Sequence, residues 1–264
     1  MRADLDYLAY LARESARFGE VLRGLPADAP VPACPDWNAD DLLWHLGEVQ
    51  WFWGTVVREG LPGAAVGERA PERPPDRAGL AAFYERVSRD LGTALAEAAP
   101  ETPAWTWSTD HTVGFIRRRQ AHEALIHRVD AEEAAGDRTP MDAALASDGV
   151  DEVLRVMYGG LPAWATFTPQ ESAAVRLEAA DTGDAWTIVL GRFTGTDPED
   201  GTAHDEPGLG VVSDAGTDAA AVVQGTAADL DCWLWHRSTM GNVERSGDPA
   251  VLSRFESAIA AGID

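Results

Sequence analysis

A change of period midway along the chain limits what this sequence can fold into more than any other feature. In the first half, apolar residues recur at helical spacing in four stretches of about 20 residues. Leu5, Leu8, Leu11, Phe18, Val21 and Leu22 mark one helix within residues 3–24, closed by Gly24 and Pro26. Asn38 opens a second as N-cap, with Asp41 three residues on as the acidic partner of a capping box, and this helix runs to Glu59 before Gly60 and Pro62. Residues 61–77, rich in Pro, Gly and Arg, read as a long loop. Helices follow over 78–99 and 114–135, separated by a loop that holds Trp105, Trp107 and His111. Four such helices predict a four-helix bundle, and the long 61–77 connection leaves room for a crossover.

A fifth helix is expected over 142–160, and then the pattern turns to alternation. Residues 173–179 and 186–190 alternate as half-buried strands around the turn Asp181-Thr182-Gly183-Asp184, a hairpin signature. Residues 194–208 are polar and Gly/Pro-rich and read as an exposed loop. A strand over 219–223, a helix over 226–237, a short strand near Val243 and a last helix from Pro249 complete an α+β domain. At 264 residues the chain is long for one core, and the expected division is a bundle over 1–140 and a smaller α+β domain over 141–264.

The formal net charge is -23, from 44 acidic and 21 basic residues. Such a field repels nucleic acid and anionic lipid, so neither is expected as a partner. Every basic residue is Arg, which excludes lysine Schiff-base chemistry. No stretch reaches the roughly 18 apolar residues of a membrane span. The charged, helical N-terminus lacks a signal peptide's uncharged core, so a cytoplasmic protein is expected, with monomer as the default state. Cys34 and Cys232 lie in different expected domains, which argues against a disulfide framework.

The segment with the most chemistry is Arg117 to Asp130. Glu123 and His127 are four apart and share a helix face, about 5–6 Å between Cβ atoms, so they can meet one metal ion. His122 and His127 are five apart and diverge by about 140°, which rejects the protease-type H-E-x-x-H helix and leaves His122 at a helix contact or on the surface. A third ligand is available in His45, which shares an apolar stripe with Leu42, Leu46 and Val49. Gly47 beside it would let another helix come close. Two imidazoles and one carboxylate would leave one tetrahedral position open, the mark of catalytic zinc. Against this, a histidine on an apolar stripe is as a rule a hydrogen-bonded core residue, E-x-x-x-H pairs are common, and spacing alone does not bring the two helices together.

The segments CPDWNADDLLWHLGEV at 34–49 and RRRQAHEALIHRVDAEEAAG at 117–136 resemble the mycothiol-dependent maleylpyruvate isomerase family, whose bundle is DinB-like. LEAADTGDAWTIVLG at 177–191, VVQGTAADLDCWLWHR at 222–237 and SGDPAVLSRF at 246–255 resemble the family's sterol-carrier-like companion domain. The resemblance spans nearly the whole chain in matching order. It implies a metal, zinc foremost, on His45, Glu123 and His127, and mycothiol as a thiol cofactor. It implies chemistry in which the thiolate attacks a small electrophile, leaving again in an isomerase and staying attached in a transferase. It also implies an Arg that steadies a substrate carboxylate, for which Arg119, four before Glu123, is the candidate; Arg86 and Arg89 are further options. Asp130, three after His127, could orient that imidazole. Trp44, Trp51 and Trp53 could wall a pocket or fill the core. Two other readings remain: a non-catalytic metal bundle that binds an apolar molecule, and a hydrolase in which the open position activates water.

Overall fold

A computed structural model describes residues 5–212 and 218–260. The chain divides into two compact units, Met1–Pro140 and Met141–Asp264.

The first unit is helical: α1 (Tyr7–Gly24), α2 (Ala39–Glu59), the short α3 (Gly63–Gly67), α4 (Arg77–Glu97) and α5 (Val113–Ala135). The start of α2 follows from its sequence. Asn38 accepts hydrogen bonds from the backbone N–H groups of Asp40 and Asp41, while Asp41 accepts from the Asn38 N–H, so two orphan donors are satisfied at once. Gly60 ends the helix in the left-handed region at φ 65°. The expected 61–77 loop contains α3, a single turn too short to show a period.

Around the bundle, α1 packs on α4 and α5, and α2 packs on the same two helices. Consecutive α1 and α2 therefore face each other across the diagonal. The close approach to Gly47 is made by α4, whose Phe83 ring lies 3.2 Å from where a β-carbon would stand. About two turns further, Gly54 meets the Leu91 backbone at 3.4 Å in the same way. Phe18, Leu22, Leu42, Leu46, Leu80 and Tyr84 form the core between α1, α2 and α4.

The last long helix of this unit, α5, is buried on nearly every side from Val113 to Glu132, and Arg118, Arg119 and Arg128 are buried with it. In the run Arg117-Arg118-Arg119 the first side chain is half-buried and the other two are buried. Arg117 donates to the carbonyls of Leu95 and Ala98, the unpaired end of α4. Arg128 is sandwiched between Glu14 of α1 and Glu132, each at 2.8 Å.

The second unit begins with α6 (Ala143–Glu152), which continues as one π-helical stretch over Val153–Tyr158. A mixed sheet follows, in the order β3-β2-β1-β4-β5: β1 (Ala165–Ala179), β2 (Ala185–Thr196), β3 (Ala203–Val212), β4 (Ala221–Gly225) and β5 (Glu244–Gly247). Only β1 and β4 run parallel; the other pairs are antiparallel. Val175, Leu177, Ile188, Leu190 and Val223 point into a core shared with Phe255 of α8 (Pro249–Ile259). Helix α7 (Ala227–Leu234) packs on α6.

The expected loop over 194–208 is corrected here. β2 runs to Thr196 and β3 starts at Ala203, joined by a turn with Gly201 at φ 77°. β3 is an edge strand and mostly exposed in this stretch, so it shows no apolar alternation, and its Pro207 sits where an edge tolerates it. β1 likewise extends back to Ala165, paired to β2 across a register shift between Pro169 and Ala174. Backbone pairing, rather than buried side chains, makes this arm a hairpin.

Candidate metal centre

α2 and α5 pack side by side in the first unit, and their facing sides bring His45, Glu123 and His127 together. One ligand atom from each lies within 4.8 Å of the other two. Glu123 Oε1 is 3.2 Å from His127 Nε2 and 3.5 Å from His45 Nε2. With metal–ligand bonds of about 2.0–2.2 Å, a tetrahedral zinc site has ligand–ligand edges of about 3.4 Å. The donor set, two imidazole nitrogens and one carboxylate oxygen, also suits that ion.

Each side chain is held by its neighbours. His127 Nδ1 lies 2.9 Å from Asp130 Oδ2, and Asp130 is fully buried. Asp130, a carboxylate, accepts from Nδ1–H, and Nε2 faces Glu123 and His45. Glu123 Oε2 accepts a 2.6 Å bond from Arg119 Nη2. The His45 ring lies between two others: the Trp37 indole with centroids 4.7 Å apart, and the His127 imidazole, edge-on at 4.8 Å. Trp37 immediately precedes the N-cap of α2, which folds its ring back over the helix's first turns.

The electrostatics favour positive charge here. Burial alone would push the His127 imidazole down; Asp130 and Glu123 outweigh it and hold the group up at about 9. Burial would raise the Glu123 carboxyl, yet Arg119, His127 and His45 keep it well below the usual carboxylate range.

The sequence candidates fare differently. His45 is half-buried at the edge of its stripe, not in the core with Leu42 and Leu46, because the stripe ends at the site. His122 is buried on another side of α5, edge-on to Tyr7 of α1. Arg119 does reach the site, but there it meets Glu123. Arg86 faces Asp90 and lies over the Phe83 ring. Trp44 packs on Phe83 and Trp53 stacks on Trp105, as core residues do. The sequence reading passed over Trp37; its position just before a well-marked N-cap was the available signal.

Residues 8–132 match the family model described as the mycothiol maleylpyruvate isomerase N-terminal domain, and residues 144–254 match its companion, the MDMPI C-terminal domain. The chain belongs to the mycothiol-dependent maleylpyruvate isomerase family. Among solved structures, this family member is similar to the crystal structure of the mycothiol-dependent maleylpyruvate isomerase, with a TM-score of 0.57, 12% identity, and 92% of this chain and 93% of that one covered. It is equally similar to the crystal structure of a histidine-to-alanine mutant of such an isomerase, with a TM-score of 0.59 at 12% identity and the same coverage. At this identity the likeness speaks for the fold, a helical unit followed by a mixed-sheet unit. No curated protein sequence matches significantly.

Proposed function

We propose that this family member is a metal-dependent enzyme, with zinc the metal, that uses mycothiol to isomerise a small cis-configured electrophile of the maleylpyruvate type. The observation that carries the reading is the convergence of three ligand atoms from two helices, all within 4.8 Å of one another, with Glu123 Oε1 near a tetrahedral-edge distance from each imidazole nitrogen. A zinc ion on His45, Glu123 and His127 would act as a Lewis acid that favours the thiolate of mycothiol, the form able to add reversibly to an electrophilic double bond.

The chain's own residues supply the rest. Asp130 holds Nδ1–H and the angle of His127, so that Nε2 is the nitrogen that would give up its proton to a metal ion. Trp37 packs against the His45 ring and limits its rotation. Three protein ligands leave a fourth position for a small thiol, as in catalytic rather than structural sites. A low-molecular-weight thiol cofactor belongs in a reducing cytoplasm, where this reading puts the protein.

The test is metal analysis of the purified protein, then calorimetric titration with mycothiol, then turnover of maleylpyruvate with and without the thiol. About one zinc per chain, thiol binding that depends on it, and thiol-dependent turnover are the expected results. Metal-free protein that still turns over substrate would overthrow the proposal. Hydrolysis of esters or amides without thiol would point instead to an activated water. In the same assay His45→Ala and His127→Ala are each expected to lose metal retention; undiminished zinc in either refutes the ligand set.

A further inference from the structure

The two oxygens of Glu123 keep different company. Oε1 faces His127 Nε2 at 3.2 Å and His45 Nε2 at 3.5 Å. Oε2 accepts from the Arg119 guanidinium at 2.6 Å. This pair is no surface i,i+4 contact: the Arg119 and Glu123 side chains are only 5% and 16% exposed. Nor does helix electrostatics explain it, since a base four residues before an acid is the less favourable order along a helix.

A carboxylate can bind a metal ion through one oxygen or through both. Turning Oε2 toward an ion that Oε1 already touches would break a short charge-assisted bond and set a dication beside a buried guanidinium. Binding through both oxygens would also add a fifth ligand position to a site whose vacancy the thiol needs.

We propose that Arg119 is a positioning residue that restricts Glu123 to one-oxygen ligation and so keeps the coordination corner for the thiol open. This rests on the metal reading above and assigns Arg119 to the carboxylate of the protein itself, so the substrate's carboxylate is held by another group.

Cobalt(II) in place of zinc reports the geometry, because a four-coordinate ion absorbs visible light more strongly than a five-coordinate one. The wild type loaded with cobalt is expected to show the intense four-coordinate spectrum. Arg119→Met, loaded likewise, is expected to shift to the weaker five-coordinate spectrum while keeping its metal, and to bind mycothiol about 10-fold more weakly or worse. An unchanged cobalt spectrum in Arg119→Met overturns the inference alone, and if binding only of carboxylate-bearing substrate is then weakened, Arg119 is a substrate contact. Should that variant not fold, the wild type still decides, because a five-coordinate spectrum with Arg119 in place overturns the inference. A wild type that takes up no cobalt removes the metal reading itself and the inference with it.

Discussion

Asp130 and Glu123 hold His127 from opposite sides, one at each ring nitrogen, and the two contacts do different things. Glu123 accepts at Nε2 and favours a proton there, whereas Asp130 accepts from Nδ1 and leaves Nε2 as the nitrogen that would meet a metal. Asp130→Asn keeps the shape but removes the charge that makes the imidazole a good donor. It is expected to lower zinc affinity by about 10–100-fold without unfolding the chain, measured by competition with a chromophoric chelator. Equal affinity in wild type and variant would make the 2.9 Å contact merely structural. At this scale the sequence said much. Fourfold spacing put Glu123 and His127 on one face, and threefold spacing put Asp130 within reach of His127. It said nothing of what Arg119 touches, because a guanidinium four residues from a carboxylate can equally turn to solvent.

Among the helices, α5 shows why polarity along a sequence does not give exposure. Several of its charged residues are covered because they meet partners from outside the helix: Arg117 the end of α4, Arg128 the Glu14 carboxylate of α1, and Glu132 the Thr139 hydroxyl and backbone N–H beyond its own C-terminus. A hydrophobic pattern could not have revealed this, whereas α2, with its stripe and its capping box, was readable almost to the residue. The same difference separates the hairpin core at Val175 and Ile188, which alternates, from the polar arm at β3, which does not. The α1–α5 clamp carries a prediction. Arg128→Met leaves two buried carboxylates, Glu14 and Glu132, short of a partner and is expected to cost about 3–5 kcal/mol in urea denaturation. A loss under about 1 kcal/mol would mean that the pair merely replaces a hydrophobic contact of equal worth.

For the whole molecule, the ion network ties stability to pH in a definite direction. Burial would raise the Glu132 carboxyl, but Arg17, the Thr139 N–H and Arg128 outweigh it and lower the group from its ordinary value. A carboxyl lowered on folding adds stability that is complete above its unfolded value of about 4.3 and is lost as pH falls through the folded one. Urea midpoints are therefore expected to fall on acidification below about pH 4, and Glu132→Gln to be less stable at neutral pH with a flatter acid limb. An identical acid limb in the variant would remove Glu132 from the linkage. The net charge of -23 adds self-repulsion at neutral pH, where few basic groups offset it. Period, caps and turn residues are local properties, so the sequence alone determined the helical first half, the mixed second half, and which side chains share a helix face. Whether α2 and α5 lie side by side, so that His45 meets Glu123 and His127, was decided only by tertiary packing. It depends on Phe83 and Leu91 of α4 closing on Gly47 and Gly54 along one side of α2, which leaves another side for α5.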